Sequence, residues 1–156
     1  MEERLMDFGE VRAEFLEVLR GSPAARRNEI LFGEWSLKDV VAHLIGWDAY
    51  FADILASLKA GKEPPYWGNI SKFNEASVQR RRSASWEVVH DEFVVAGDEF
   101  LLRYAQLSPN LWHVRFWKGK PYTPAKILDV NLHHYAKSHL PQVKKHLSGT
   151  DLKEKG

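Results

Sequence analysis

The sequence predicts an all-α protein, arranged as a bundle of four long helices. Four long segments carry apolar residues three or four positions apart, which is the spacing of an amphipathic helix. No segment shows a convincing strand pattern, and no internal repeat is present. The connection between the second and third long helices, residues 61–84, is too long for a tight hairpin, so we expect a partly helical crossover there.

Composition narrows the classes of function. The chain has 156 residues, a formal net charge of +1 and no cysteine. Its length predicts a single domain at 1–150, followed by a short polar C-terminal tail at 151–156. The lack of cysteine excludes disulfides, thiolate catalysis and cysteine-ligated metal centres. The balanced charge and the lack of a recognition motif predict no nucleic-acid partner.

Signals for membranes and export are not found in the sequence. No run approaches the ~20 apolar residues that a membrane-spanning helix needs. The N-terminal segment MEERLMDFGE is acidic and lacks the apolar centre of a signal peptide. We therefore expect a cytoplasmic protein that does not bind membranes.

The first helix is predicted over residues 2–20, and Gly21-Ser22-Pro23 ends it. Its apolar stripe consists of Leu5, Phe8, Val11, Phe15, Val18 and Leu19. Residues 24–34 are expected to form a short helical turn and a loop, in which Ile30, Leu31 and Phe32 act as an apolar plug.

The second helix, Trp35 to Leu58, is the one around which the others are expected to pack. Ser36 and Asp39 have the spacing of a capping box at its start. Its main apolar stripe contains Val40, Leu44, Trp47, Phe51, Leu55 and Leu58, and a second stripe contains His43, Trp47, Tyr50 and Ile54. Because both stripes cannot face water, this helix should be buried on a wide front.

The crossover and the third long helix are less regular. A short helix is expected at about 70–81, and Arg80, Arg81 and Arg82 are expected to form its solvated end. Ser85 caps the next long helix, which ends at Ser108-Pro109. Residues 108–122 form a predicted loop whose Trp112, Phe116 and Trp117 should be buried over one end of the bundle. These rings could close the core or line a pocket.

The last helix begins at Thr123-Pro124, a cap followed by proline at the first helical position. Its core-facing stripe contains Leu128, Leu132, Tyr135, His139, Val143 and Leu147. Pro141 lies inside this helix and cannot donate a hydrogen bond to the carbonyl of Lys137. We therefore expect a local kink beside His139.

Two histidines are turned inward by this periodicity, His43 on the second helix and His139 on the last. In a regular helix His133 and His134 would lie about 120° and 140° from His139. Neutral imidazole suits zinc, nickel or iron, so a metal site is one interpretation. The alternative is that both are core histidines, with His43 bonded to a neighbouring side chain and His139 to a free carbonyl near Pro141.

The segments WSLKDVVAHLIGW, Phe73-Asn74 and HHYAKSHLPQV resemble the DinB-like superfamily of four-helix bundles. They are most similar to its ClbS/DfsB-like branch and to mycothiol-dependent maleylpyruvate isomerase relatives. The resemblance implies a divalent metal on three histidines, one from the second helix and two spaced four apart on the last. His43 and His139 match that pattern, whereas Tyr135 occupies the middle position. Either a kink lets His134 reach the metal, or Tyr135 replaces the ligand, or the metal has been lost.

The resemblance implies a small-molecule enzyme, either a metal-dependent hydrolase or a transferase that uses a low-molecular-weight thiol. Its pocket would lie between the second and last helices. We expect His43, His139 and Tyr135 to be catalytic, Trp47, Tyr50 and Asn74 to bind substrate, and His43, His139 and His134 to bind metal. The alternatives are a small-ligand binding or sequestering module that binds its ligand with aromatic loops, and a homo-oligomeric bundle, such as a homodimer, without metal.

Overall fold

The computed structural model describes the backbone of residues 2–155 and the side chains of residues 3–148. Four long helical rods pack into a bundle, which confirms the predicted all-α fold class. They are α1 (Glu2–Arg20), α2 (Leu37–Lys59), α4 (Trp86–Ala105), and a last rod made of α5 (Pro124–His133), a π-helical turn (His134–His139) and α6 (Leu140–Lys155). The side chains of the predicted tail 151–156 lie outside the described residues.

The centre of the bundle contains a cluster of aromatic rings from α1, α4 and the last rod. Phe8 of α1 lies with its ring centroid 4.8 Å from that of Phe100 on α4. The Tyr135 ring lies 4.9 Å from Phe8 and 6.1 Å from Phe93. Each ring is almost completely removed from water, a burial that contributes about 1.5–3 kcal/mol per side chain.

The crossover contains helix α3 (Ile70–Arg81), at the residues predicted for it. The Asn69 side chain caps this helix by accepting the Lys72 backbone N–H at 2.9 Å. It packs closely on α2, because a Cβ atom built on Gly46 would lie 2.0 Å from the Ser77 Oγ atom. Glycine at position 46 therefore sets the distance between the two helices.

Two arginines at the end of α3, Arg80 and Arg82, are exposed as expected, whereas Arg81 is not. The Arg81 side chain is buried, and its guanidinium donates to both carboxylate oxygens of Glu92 at 2.9 Å. It also donates to the Ser77 carbonyl at 2.9 Å. A guanidinium can be buried here because its donors meet a carboxylate and a carbonyl. Arg81 thus fastens α3 to α4.

A small β-ribbon differs from the predicted loop at 24–34. A 3₁₀ turn at Ala24–Arg26 is followed by strand β1 (Ile30–Phe32), which pairs antiparallel with β2 (Trp35–Ser36). The turn between them uses Gly33, whose φ of 56° favours glycine. Alternate strand residues share a face, so Ile30 and Phe32 both point outward, 59% and 53% exposed. The predicted apolar plug is therefore wrong for these two residues.

The loop after α4 behaves as predicted. Trp112, Phe116 and Trp117 are all buried against the core. The Trp117 indole N–H donates to the Pro64 carbonyl at 2.6 Å, which joins this loop to the crossover. Within the described residues, no helix combines the length and the hydropathy that a membrane crossing requires.

The last rod carries the predicted irregularity beside His139, in the form of a π-helical turn. The Leu140 backbone N–H donates to the carbonyl of Tyr135, five residues earlier. The next residue, Pro141, has no N–H and cannot donate to the carbonyl of Lys137. The helix therefore widens over His134–His139 and resumes as α6.

Candidate functional site

Three histidine side chains converge where α2 meets the π-helical turn. His43 comes from α2, and His134 and His139 stand at the two ends of the turn. The His134 Nε2 atom lies 3.3 Å from His43 Nε2 and 2.8 Å from His139 Nε2. One ligand atom from each of the three residues lies within 4.8 Å of the others. We call these three residues the histidine cluster.

The other ring nitrogens fix the tautomers of two members. His43 Nδ1 lies 2.6 Å from the Val40 carbonyl oxygen, and His139 Nδ1 lies 3.0 Å from Gln142 Oε1. Both partners are acceptors, so each Nδ1 carries the proton and each Nε2 presents a lone pair to the cluster. A backbone carbonyl and an amide oxygen thus orient the rings in the way that outer partners orient metal-binding histidines.

The donor set fits a divalent metal. Two nitrogens that each bind zinc at 2.0–2.1 Å in tetrahedral geometry lie about 3.3–3.4 Å apart. The separation between His43 and His134 is 3.3 Å, and the 2.8 Å between His134 and His139 needs only a small opening. Three imidazole nitrogens suit zinc, nickel or iron, and they leave a fourth position open for another ligand.

The histidine cluster is neutral at physiological pH. Burial lowers the pKa of His43 well below its usual value, and His139 and His134 lower it further. Burial is also the main cause that lowers the pKa of His134 to about 4. The pKa of His139 is lowered by burial, with the Gln142 hydrogen bond acting in the opposite direction. Neutral rings do not have to lose a proton before binding a metal.

Tyr135 is not part of the histidine cluster, contrary to one of the three alternatives drawn from the sequence. Its side chain is fully buried, and its hydroxyl donates to the Asp48 carboxylate. The Asn131 amide donates to the same carboxylate at 2.9 Å. Burial, partly offset by these hydrogen bonds, raises the pKa of Asp48 to about 6. His134, and not Tyr135, supplies the third ring of the cluster.

Sequence reasoning missed Asp48 and Asn131, although a signal was present. Asp48 lies four residues after Leu44 on the main apolar stripe of α2. Asn131 lies between Leu128 and Tyr135 on the stripe of the last rod. A polar residue on a buried stripe requires a partner, and these two residues are partners of each other.

A cavity of about 300 Å³ opens beside the histidine cluster. Aromatic rings form much of its wall, and His134 belongs to both the cavity and the cluster. We call this cavity the aromatic slot, and the lining residues that matter below are Trp47, Trp67, Asn74, Tyr122, Asn131 and His134. Two of the three residues expected to bind substrate therefore line it.

The third expected substrate residue, Tyr50, takes another role. Its hydroxyl donates to the carbonyl of Pro65, which holds the irregular start of the crossover against α2. Burial raises the pKa of Tyr50 to about 12, so the hydroxyl stays protonated and can donate. Tyr50 thus supports the segment that carries Trp67, whereas it does not line the aromatic slot itself.

Comparison with known proteins places this chain in a family. The sequence model of the family called mycothiol maleylpyruvate isomerase N-terminal domain matches residues 8–135, which include His43 and His134. A search of curated proteins found no match. Among solved structures, an uncharacterised protein from Escherichia coli UTI89 is similar with a TM-score of 0.76 and 18% identity, covering 96% of this chain and 94% of its own.

Two crystal structures of mycothiol-dependent maleylpyruvate isomerase are also similar. The enzyme itself gives a TM-score of 0.74 at 14% identity over 94% of this chain, and a histidine-to-alanine mutant gives 0.75 at 13% over 86%. This chain spans only 59% and 57% of those two chains. At these identities the structures establish a shared fold, whereas the family match covers most of the sequence. The chain therefore belongs to the mycothiol maleylpyruvate isomerase N-terminal domain family, within the DinB-like superfamily.

Proposed function

We propose that this protein is a thiol-dependent small-molecule enzyme in which the histidine cluster holds a divalent metal. The observation that carries the proposal is the convergence of three Nε2 atoms, two of them with their Nδ1 protons held by acceptors outside the cluster. The family match supports a low-molecular-weight thiol as the cosubstrate. Zinc, nickel and iron are the metals whose preferences suit this donor set.

A metal bound at the cluster supplies Lewis-acid activation, because it lowers the pKa of a thiol or water. The protein's own side chains would hold the metal and orient the rings that bind it. His43, His134 and His139 are ligands, and the Val40 carbonyl and Gln142 keep two of them in the binding tautomer. The expectation that Tyr135 is catalytic is dropped, because its hydroxyl is committed to Asp48 in the core.

Substrate is held in the aromatic slot, where Trp47 and Asn74 meet it. The Trp47 indole N–H donates to Asn74 Oδ1 at 2.6 Å, so both side chains keep fixed positions on the wall. Because His134 lines the same cavity, a substrate in the slot has one edge next to the cluster. This proximity supplies the orientation that a reaction between two bound partners requires.

Cobalt substitution tests this proposal without requiring the natural substrate. Protein loaded with cobalt(II) is titrated with a small thiol, and visible and near-ultraviolet spectra are recorded. We expect a thiolate-to-cobalt charge-transfer band that saturates and that is absent in His134→Leu. Cobalt binding without any thiol-dependent band would exclude thiol activation and favour hydrolysis by water. No cobalt binding at all would remove the metal from the proposal.

A non-catalytic binding module is the second candidate, because the aromatic slot is a built cavity whatever the cluster does. It would bind small ligands equally well in wild type and in His43→Ala, a member of the cluster that does not line the slot, with no turnover. The reducing cytoplasm suits an enzyme that uses a thiol, so the cytoplasmic location stays part of this proposal.

The predicted homodimer is tested by sedimentation, with Val95→Glu on the exposed face of α4 as the disrupting variant.

A further inference from the structure

We infer that the aromatic slot selects a flat, uncharged ring system that carries a carboxamide-like group, and that Asn74 and Asn131 read that group. This inference rests on the proposed function, because it names the substrate class of the same site. It depends on three properties of the slot: rings already held in place, walls without formal charge, and two amide side chains whose hydrogen-bonding roles are fixed by their neighbours.

The rings are held before any ligand arrives. Trp47 stacks on Phe73 with centroids 4.1 Å apart and an interplanar angle of 30°. Trp67 meets Tyr122 edge-on at 4.6 Å and Trp117 at 5.4 Å. A ligand that enters such a wall does not have to order its side chains, so less binding free energy is lost. Flat apolar rings gain most from contacts of this kind.

The walls carry no formal charge. Among the described residues that line the slot there is no lysine, arginine, aspartate or glutamate. In the metal-free protein, a carboxylate or phosphate that moved into the slot would lose its hydration and would meet no lysine or arginine on the wall. An uncharged ligand of the same shape would avoid that loss. The walls of the metal-free slot should therefore discriminate against anions.

Two amides give the slot one donor and one acceptor. The oxygen of Asn74 accepts the Trp47 indole N–H at 2.6 Å, which leaves its Nδ2 to donate to a ligand. The Nδ2 of Asn131 donates to Asp48 at 2.9 Å, which leaves its Oδ1 to accept. Asn131 is fully buried, and its Oδ1 has no hydrogen-bond donor among the described residues. A group with both a carbonyl oxygen and an N–H satisfies both side chains.

Naphthamide and naphthoate test the inference, since they share one shape and differ in charge and in the N–H donor. Each is titrated by calorimetry into the full-length chain in the presence of a chelator, so that the walls alone are measured. We expect one naphthamide per chain and binding roughly tenfold or more tighter than naphthoate. Trp67→Leu should weaken naphthamide binding roughly tenfold or more, whereas Trp86→Leu, a change outside the slot, should not.

Equal or tighter binding of naphthoate would overturn the inference, and so would equal effects of the two tryptophan variants. Failure of naphthamide to bind up to its solubility limit would also overturn it. A folding defect in either variant is visible by circular dichroism and leaves the comparison of the two ligands on wild type intact. Because the titrations need no metal, their outcome is independent of the cobalt experiment on the histidine cluster.

Discussion

His134 Nε2 lies 2.8 Å from His139 Nε2, although a regular α-helix would place the two side chains about 140° apart. The π-helical turn removes that difference, because its wider winding brings residues five apart onto one face. Pro141 favours the turn, since it cannot make the hydrogen bond to Lys137 that a regular helix would need. The geometry of the histidine cluster thus depends on Pro141, a residue outside the cluster.

The change Pro141→Ala should therefore weaken metal binding without harming the fold. The substitution restores a backbone N–H at this position and favours a regular helix, which would rotate His134 away from His139. We expect zinc affinity to fall roughly tenfold or more, and the melting temperature to stay the same or rise. Competition with a chromophoric chelator measures the first and calorimetry the second. Pro124→Ala, at the first turn of α5, is the control, and equal zinc affinity in all three proteins would contradict the account.

Gln142 should orient His139 without touching the metal. Its Oε1 accepts the His139 Nδ1 proton, so Gln142→Leu leaves the ring free to rotate or to change tautomer. We expect zinc affinity to fall roughly tenfold to a hundredfold in Gln142→Leu. Gln142→Glu keeps an acceptor at this position and should retain most of the affinity. If both variants bind zinc as tightly as wild type, Gln142 does not position the ring.

The metal-free protein should lose stability in acid through His134. Its folded pKa of about 4 is below the ordinary value of 6.5, so between those values the unfolded chain binds more protons. Stability is therefore fully present above about pH 6.5 and falls as the pH drops toward the folded pKa. Urea unfolding with a chelator should show that His134→Leu loses about 1–2 kcal/mol less than wild type between roughly pH 7.5 and pH 5.

The exposed His113 provides the control for that experiment. His113→Leu should keep the acid sensitivity of wild type, because this exposed side chain lies outside the histidine cluster and does not act on the pKa of His134. An equal pH dependence in wild type and His134→Leu would show that the cluster is not neutral in the folded protein.

Asp48 should contribute the opposite pH dependence. Its pKa is raised to about 6 in the folded protein from 3.8, so the folded chain binds more protons between those values and gains stability as the pH falls. Asp48→Asn removes that contribution. Relative to wild type, the variant should become less stable by about 1 kcal/mol on going from roughly pH 7.5 to pH 5, measured by urea unfolding. A constant difference between the two proteins would mean that Asp48 keeps an ordinary pKa.

Helix positions and inward-facing histidines can be predicted because both follow from local periodicity. The range 70–81 for α3 and the cap at Ser36 depend on residues close in sequence. Burial of Trp117 could be expected because its ring is large and mostly apolar. The same arithmetic that places Val40 and Leu44 in the core turns His43 inward. The DinB-like resemblance then supplies the expectation of a third histidine.

The features that could not be predicted from the sequence depend on the course of the backbone or on partners distant in the chain. Helical arithmetic assumes a regular turn, so it places Tyr135 where the π-helical turn instead brings His134. The partnership of Asp48 with Asn131 joins residues 83 positions apart. The burial of Arg81 could not be predicted because its partner Glu92 belongs to the next helix. These contacts become visible only when the helices are packed together. Each contact fixes the position of a side chain near the site or of a helix that carries such a side chain.

The most direct test of the central claim is zinc binding by single variants of the three histidines and of Tyr135. Protein purified without affinity metal is equilibrated with zinc, and bound metal is measured by elemental mass spectrometry and chelator competition. We expect one zinc per chain in wild type and in Tyr135→Phe, with affinity reduced roughly a hundredfold or more in His43→Ala, His134→Ala and His139→Ala. Retention of zinc by His134→Ala, or its loss in Tyr135→Phe, would contradict the claim that the π-helical turn completes a three-histidine site.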